Sequence, residues 1–187
     1  MSQAPPTAIE LTRAWIEQFV IGLGLCPFAA APFNRGRVHV EACESDRADD
    51  VYRAFLDLVY RLLTSEPDSM ETALLVVPNT LQRFDDYLDT LESLQQALAE
   101  AGAEGMVQIA SFHPHYCFDG EPADDPANYS NRSPYPMFHL LREDGLAAAL
   151  ESWDDPDQIP QRNIAYLRQL GIDRIRDLLT RIGVNVG

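Results

Sequence analysis

Between Phe112 and Glu143 the chain reads FHPHYCFDGEPADDPANYSNRSPYPMFHLLRE, a stretch holding three of its four histidines and one of its three cysteines. Imidazole, thiol and carboxylate groups gathered this way can ligate a metal, move a proton or attack an electrophilic carbon. Irregular segments longer than about 12–15 residues inside a compact domain are usually lids or binding loops. This one is too rich in aromatic residues and proline to read as disordered. Arg132 and Arg142, with Asn128 and Asn131, are suited to clamping a carboxylate or phosphate of a substrate. The competing reading pairs the two arginines with Asp124, Asp125 or Glu143 to hold the loop shut. Tyr129, Tyr135 and Pro134–Pro136 would supply the apolar wall common in small-molecule pockets.

The histidines offer two metal sets. If a strand continues past Phe112, His113, His115 and Cys117 share one face, because strand side chains alternate; Pro114 counts against a regular ladder there. His139 falls in a helix expected from Pro136 to Trp153, with Pro136 at its favoured first position. Arg142 and Glu143 follow at i+3 and i+4 on the same face. With His113 arriving from a strand end, His113, His139 and Glu143 make two histidines and a carboxylate, a facial set that suits iron or zinc. Against this, Glu143 also reads as a residue that only orients His139 or pairs with an arginine. Cys26 is the best nucleophile. It follows a glycine-rich break and precedes Pro27, so it suits a helix N-cap, where the dipole favours thiolate. An inert buried thiol is the alternative, and Cys-Pro is also the minimal axial-ligand pair for a regulatory haem.

Elements must bring these groups together. Thr7 and Glu10 form a capping box ahead of an apolar helical face running from Leu11 to Leu23. Residues 37–43 alternate as a strand, with Val38, Val40 and Ala42 on one side and His39, Glu41 and Cys43 on the other. Residues 46–63 are helical. Residues 72–77 form a continuously apolar strand stopped by Pro78. Residues 83–101 are helical, residues 106–112 form a third strand, and two helices, 160–170 and 173–182, close the chain. Each strand-to-strand connection carries a helix, so the expectation is one α/β domain over 1–187. Its sheet would be small, mainly parallel and about three-stranded, flanked by helices. Ligands in such sheets sit beyond the carboxyl ends of the strands, which places His113 on the functional edge.

Composition removes several function classes. The net charge of −15 argues against nucleic acid or an anionic membrane as partner. Every one of the 14 cations is arginine, which excludes lysine Schiff bases and a Walker-type phosphate lysine. Cysteines 26, 43 and 117 make no CxxC pair and no disulfide framework. The N-terminus lacks a signal-peptide pattern and no run reaches about 18 apolar residues, so a cytoplasmic protein is expected. Oligomeric state is not readable from these residues.

Cys26-Pro27-Phe28-Ala29, Gln108 to Pro114, Asp124-Asp125, Asn128-Tyr129, Asn131 to Pro136 and His139 to Glu143 together resemble a bacterial family catalogued as domain of unknown function 1415. The similarity covers nearly the whole chain. The resemblance implies no activity, but its pattern leaves positions 115 and 117 open. It points instead to Cys26, His113, Asp125, Asn131, Arg132, His139, Arg142 and Glu143. The resulting expectation is a small-molecule enzyme with Cys26, His113, His139 and Glu143 as catalytic or metal-binding groups, performing metal-assisted hydrolysis or oxidation. Asp125, Asn128, Asn131, Arg132, Tyr135 and Arg142 would bind a substrate, anionic in the leading version. A metal-free Cys/His thiol enzyme and a non-enzymatic ligand- or haem-binding module are the alternatives.

Overall fold

Thr7 opens the first helix, α1 (Ala8–Trp15), by the expected reciprocal cap. Its hydroxyl accepts from the Glu10 N–H at 3.2 Å, and the Glu10 carboxylate accepts from the Thr7 N–H at 2.8 Å. The structure is a computed structural model that describes residues 5–151 and 155–185. Beyond Trp15 the helix widens into a π-helical turn, Ile16–Ile21, in which the Gly22 N–H reaches back to Glu17 and the Leu25 N–H to Val20. Such turns are rare and often border functional sites. Gly22 is required by crowding, because a Cβ there would lie 2.2 Å from the Gln18 carbonyl oxygen. Gly22→Ala is therefore expected to lower unfolding stability by about 1–3 kcal/mol, the usual cost of overpacking. A denaturant titration showing no loss would mean that this turn relaxes freely.

A short helix, α2 (Ala30–Asn34), leads to β1 (Val38–Ala42), α3 (Ala48–Thr64), β2 (Thr72–Val76), α4 (Phe84–Glu100) and β3 (Val107–Phe112). After the long loop come β4 (Met137–Arg142), α5 (Glu143–Glu151), α6 (Ile159–Leu170) and α7 (Ile172–Ile182). The four strands form one sheet in the order β1-β2-β4-β3, with β1 and β2 parallel and β4 antiparallel to both its neighbours. The α/β class holds, but the sheet is mixed and gains a fourth strand.

That strand corrects the helix expected from Pro136 to Trp153. Residues 137–142 are extended, only 143–151 are helical, and Trp153 lies outside the described residues. Met137, Phe138, Leu140 and Leu141 satisfy a helical stripe as well as a strand covered on both faces. The slot between β2 and β3 decides for the strand, since it pairs both edges of the backbone.

Helices cover both faces. On one, Ala73, Leu75, Phe138 and Leu140 pack against Val51, Phe55 and Leu58 of α3 and Tyr87 and Leu94 of α4. Tyr87 ties this layer to the sheet, its hydroxyl donating to the Met137 carbonyl at 2.9 Å and accepting from the Phe112 N–H at 3.0 Å. On the other face, Val38, Val40, Leu74, Val76 and Met137 meet Trp15, Phe19, Leu167 of α6 and Ile175 and Leu179 of α7. Among the described residues, no helix is long and apolar enough to cross a membrane.

Candidate functional site

Strand alternation separates the two key histidines. In β4, Phe138 and Leu140 belong to the α3/α4 face, so His139 points to the opposite one, in register with Leu74 of β2 and Ala110 of β3. There it lines a cavity of about 200 Å³ walled by Trp15, Val20, Phe28, Leu74, Phe112 and Leu141. Its Nε2 is hydrogen-bonded to the Thr72 hydroxyl. Nδ1 has no hydrogen-bond partner among the described residues. Burial alone depresses this imidazole to a pKa of about 4, so it is uncharged at neutral pH.

Cys26 lines the same cavity. Gly24, with φ of 65°, releases the chain from the π turn, and Cys26 then starts the turn that enters α2. α6 holds this bend from outside: Arg162 donates to the Gly24 carbonyl and Asn163 to the Leu25 carbonyl, both at 2.7 Å. Burial pushes the Cys26 thiol up from its ordinary range. Backbone N–H groups of Phe28 and Ala29 and the Arg162 charge oppose that rise without cancelling it. The expected N-cap setting is thus approximated by a turn, and the thiol, not the thiolate, is the resting form.

Two open clefts adjoin the cavity. One, about 500 Å³, lies between Cys26, the loop residues Asp119, Glu121 and Asn131, and Ile159, Asn163 and Ile164 of α6. The other, about 310 Å³, is bordered by Pro27, Glu71, Arg142 and Gly145. Cys26 belongs to both the first cleft and the central cavity. This arrangement departs from the expected site beyond the strand carboxyl ends. The cavity lies against the sheet face, beside Val38 and Thr72, the first residues of β1 and β2.

His113 occupies the other face and is fully buried. Its Nε2 donates to the Leu81 carbonyl at 2.9 Å, Nδ1 accepts from the His115 N–H at 3.0 Å, and the ring packs on Phe84 and Tyr87. Desolvation lowers its pKa, and neither nitrogen is left for another partner. Glu143 sits past the end of β4 at the start of α5, its N–H bonded to the Met106 carbonyl; it shares no helix face with His139. Cys117 donates its thiol to the Glu121 carbonyl at 3.4 Å. Among the described residues no three His, Cys, Asp or Glu side chains come together as a metal-binding group. The expected set of His113, His139, Glu143 and Cys26 does not fit one metal ion, because strand alternation sends the two histidines to opposite faces.

The expected substrate-binding residues mostly knit the loop. Asn128 accepts from the Phe118 N–H and donates to the Pro122 carbonyl. Asn131 donates to Ser111, and its carbonyl accepts from the His113 N–H at 3.1 Å. Arg132 donates to the Tyr116 and Ala123 carbonyls and stacks over Tyr129. Asp125 caps the turn Pro126–Ser130 and pairs with Arg168 at 2.9 Å, which holds its carboxyl below the usual range. Arg142 donates to Leu62, Ser65 and Met70 carbonyls at and beyond the end of α3, where a cation complements the helix dipole. Tyr135 packs partly buried against the second core, and its carbonyl accepts from Ser133. Asn131 alone of this group also borders the Cys26 cleft, and Arg142 borders the opposite one.

Thr72 and Arg162 were missed by the sequence reading. Thr72 had a signal, a hydroxyl at the head of an otherwise apolar buried strand; Arg162 had none, being one arginine among many.

A family model described as a protein of unknown function (DUF1415) matches residues 7–177. No curated protein matches the chain. No solved structure matches it either.

Proposed function

For this chain, which belongs to the DUF1415 family, we propose a metal-free thiol enzyme acting on a small, largely apolar molecule. One observation carries the reading: Cys26 and His139, far apart in sequence, line one apolar cavity that adjoins an open cleft. Cys26 is the nucleophile, and His139 stands on the wall of the same cavity. Thr72 holds Nε2 of the imidazole, which leaves Nδ1 open to a hydrogen bond from a bound molecule. Phe28 and Ala29 N–H groups and Arg162 stabilise the sulfur as charge develops on it. The proposal places the protein in the cytoplasm, where thiols stay reduced; all three cysteines are free.

The resting pair differs from an ion-paired thiolate–imidazolium. Burial raises the Cys26 thiol and lowers His139, so both are neutral at rest. Iodoacetamide alkylation of Cys26, followed by peptide mass spectrometry, should therefore accelerate about tenfold per pH unit through the thiol range. It should show no plateau near neutrality. Arg162→Gln should slow it further at every pH. A pH-independent rate between pH 6 and 8 would mean a preformed thiolate, and complete inertness at pH 9 would remove Cys26 as a nucleophile.

A further inference from the structure

The cavity that Cys26 and His139 share is apolar almost throughout. Its only side-chain heteroatoms come from Cys26, Thr72, His139 and the Trp15 indole, whose N–H is enclosed by protein away from the void. No Asp, Glu or Arg stands in its wall. A void of this kind rewards hydrocarbon and penalises a charge, or any polar atom that finds no partner. An apolar void of about 150 Å³ is enough to hold benzene. At about 200 Å³, this one suits a body of roughly six to nine heavy atoms.

One polar atom in that wall lacks a partner. The Thr72 hydroxyl occupies His139 Nε2, and Nδ1 is bonded to nothing among the described residues. Nδ1 is not enclosed either, because the enclosed and unpartnered side-chain atoms among the described residues are Thr12 Oγ1 and the Trp15 indole nitrogen. It therefore opens on the void. The ring has the mixed character this requires: burial takes its pKa to about 4, yet part of its surface stays exposed. His113 is the contrast within the same sheet, fully buried with both nitrogens bonded. An open nitrogen in an otherwise apolar wall is suited to recognising one polar group.

Resting on the reading of this cavity as the reaction site, we infer that its ligand is uncharged and mostly hydrocarbon, with a single hydroxyl or N–H donor. His139 Nε2–H donates to the Thr72 hydroxyl, and Nδ1 accepts a hydrogen bond from the ligand. His139 and Thr72 are thereby specificity-determining residues. The apolar wall disfavours charge, and the open nitrogen disfavours pure hydrocarbon, which would leave it unpaired. Arg162 acts from outside this wall, where it holds the Gly24 carbonyl and Asn163. Its charge reaches Cys26, so an anion is the competing ligand.

The test uses p-cresol and p-xylene, which match in size and differ by one hydroxyl, with benzoate as the anionic probe. Calorimetry near neutral pH measures their binding to the full-length protein and to His139→Leu. The ratio of p-cresol to p-xylene affinity is expected to be about tenfold or more higher in wild type, since p-xylene leaves a buried acceptor unpaired. Comparing ratios cancels the different hydrophobicity of the two probes. In nitrogen-15-labelled wild type, the His139 Nδ1 resonance should move with p-cresol and stay in place with p-xylene, a readout that needs no variant to fold. Both probes should slow iodoacetamide alkylation of Cys26. Equal ratios with an unmoved Nδ1 would overturn recognition by His139. Benzoate binding more tightly than p-cresol would overturn the uncharged ligand. If neither p-cresol nor p-xylene binds while Cys26 is still alkylated, this inference is overturned and the thiol reading stands. If p-cresol binds and moves Nδ1 while Cys26 stays inert at pH 9, the ligand assignment stands and the thiol reading is overturned.

Discussion

His113→Ala is expected to lower unfolding stability by about 3–5 kcal/mol, the range for deleting a fully buried ring together with its hydrogen bonds. The ring fills space against Phe84 and Tyr87 at centroid distances of 5.2 and 5.1 Å. Its two nitrogens fasten two loops at once, accepting from His115 and donating to Leu81. Leu81 has φ of 59°, a left-handed conformation that an L residue holds only when its surroundings impose it. Removing the imidazole leaves the buried Leu81 carbonyl unpaired, frees the part-buried His115 N–H, and releases that strained turn. The loss should appear in urea titrations followed by tryptophan fluorescence. Cys26 alkylation in the still-folded fraction should hardly change, since the cavity lies on the other face of the sheet. A variant of unchanged stability that no longer reacts at Cys26 would reverse these roles and return His113 to the chemistry.

Periodicity was a good guide wherever one pattern had one solution. The Thr7–Glu10 cap, the alternation of Val38, Val40 and Ala42 and the all-buried run from Thr72 to Val76 fold as their residues indicate. It failed at Met137–Arg142, where a doubly covered strand and an amphipathic helix share the same apolar positions. That single ambiguity moved His139. A helical His139 would have faced Arg142 and Glu143; a strand residue faces Ala110, Leu74 and the cavity. The polar side chains of the long loop mostly serve its own backbone. A loop that crosses a fold must satisfy its own buried backbone, and Asn128, Asn131 and Arg132 are spent on doing so. Local sequence carries no sign of which polar residues go inward to serve carbonyls. That Cys26 and His139 line one cavity depends on the strand order and on the π turn, and neither has a local signature.

The same burial that keeps Cys26 and His139 neutral should make the protein sensitive to acid. Unfolded, His139 binds a proton as the pH falls through about 6.5; folded, it waits until about 4. In that window the unfolded chain holds more protons, so stability declines as pH falls, at up to about 1.4 kcal/mol per pH unit for one histidine. No charged neighbour contributes to the shift, whose cause is desolvation alone. His113, lowered chiefly by burial, adds to the slope over its own window. Asp125 does not interfere, because a carboxyl held below its ordinary value by Arg168 loses its contribution only at lower pH. His139→Leu, apolar like the cavity around it, should flatten the decline between pH 6.5 and 4.5 by about 2–3 kcal/mol relative to wild type. Urea midpoints at pH 7, 6 and 5 decide it, and parallel curves for the two proteins would mean that His139 reaches solvent. The alkaline side carries the opposite sign at Cys26. Its raised folded pKa means that the unfolded chain ionises first, so stability falls as pH climbs past about 9. Cys26→Ala should remove the part of that fall between about pH 9 and 10, below the range where Tyr87, also raised by burial, adds its own, while leaving the acid slope in place.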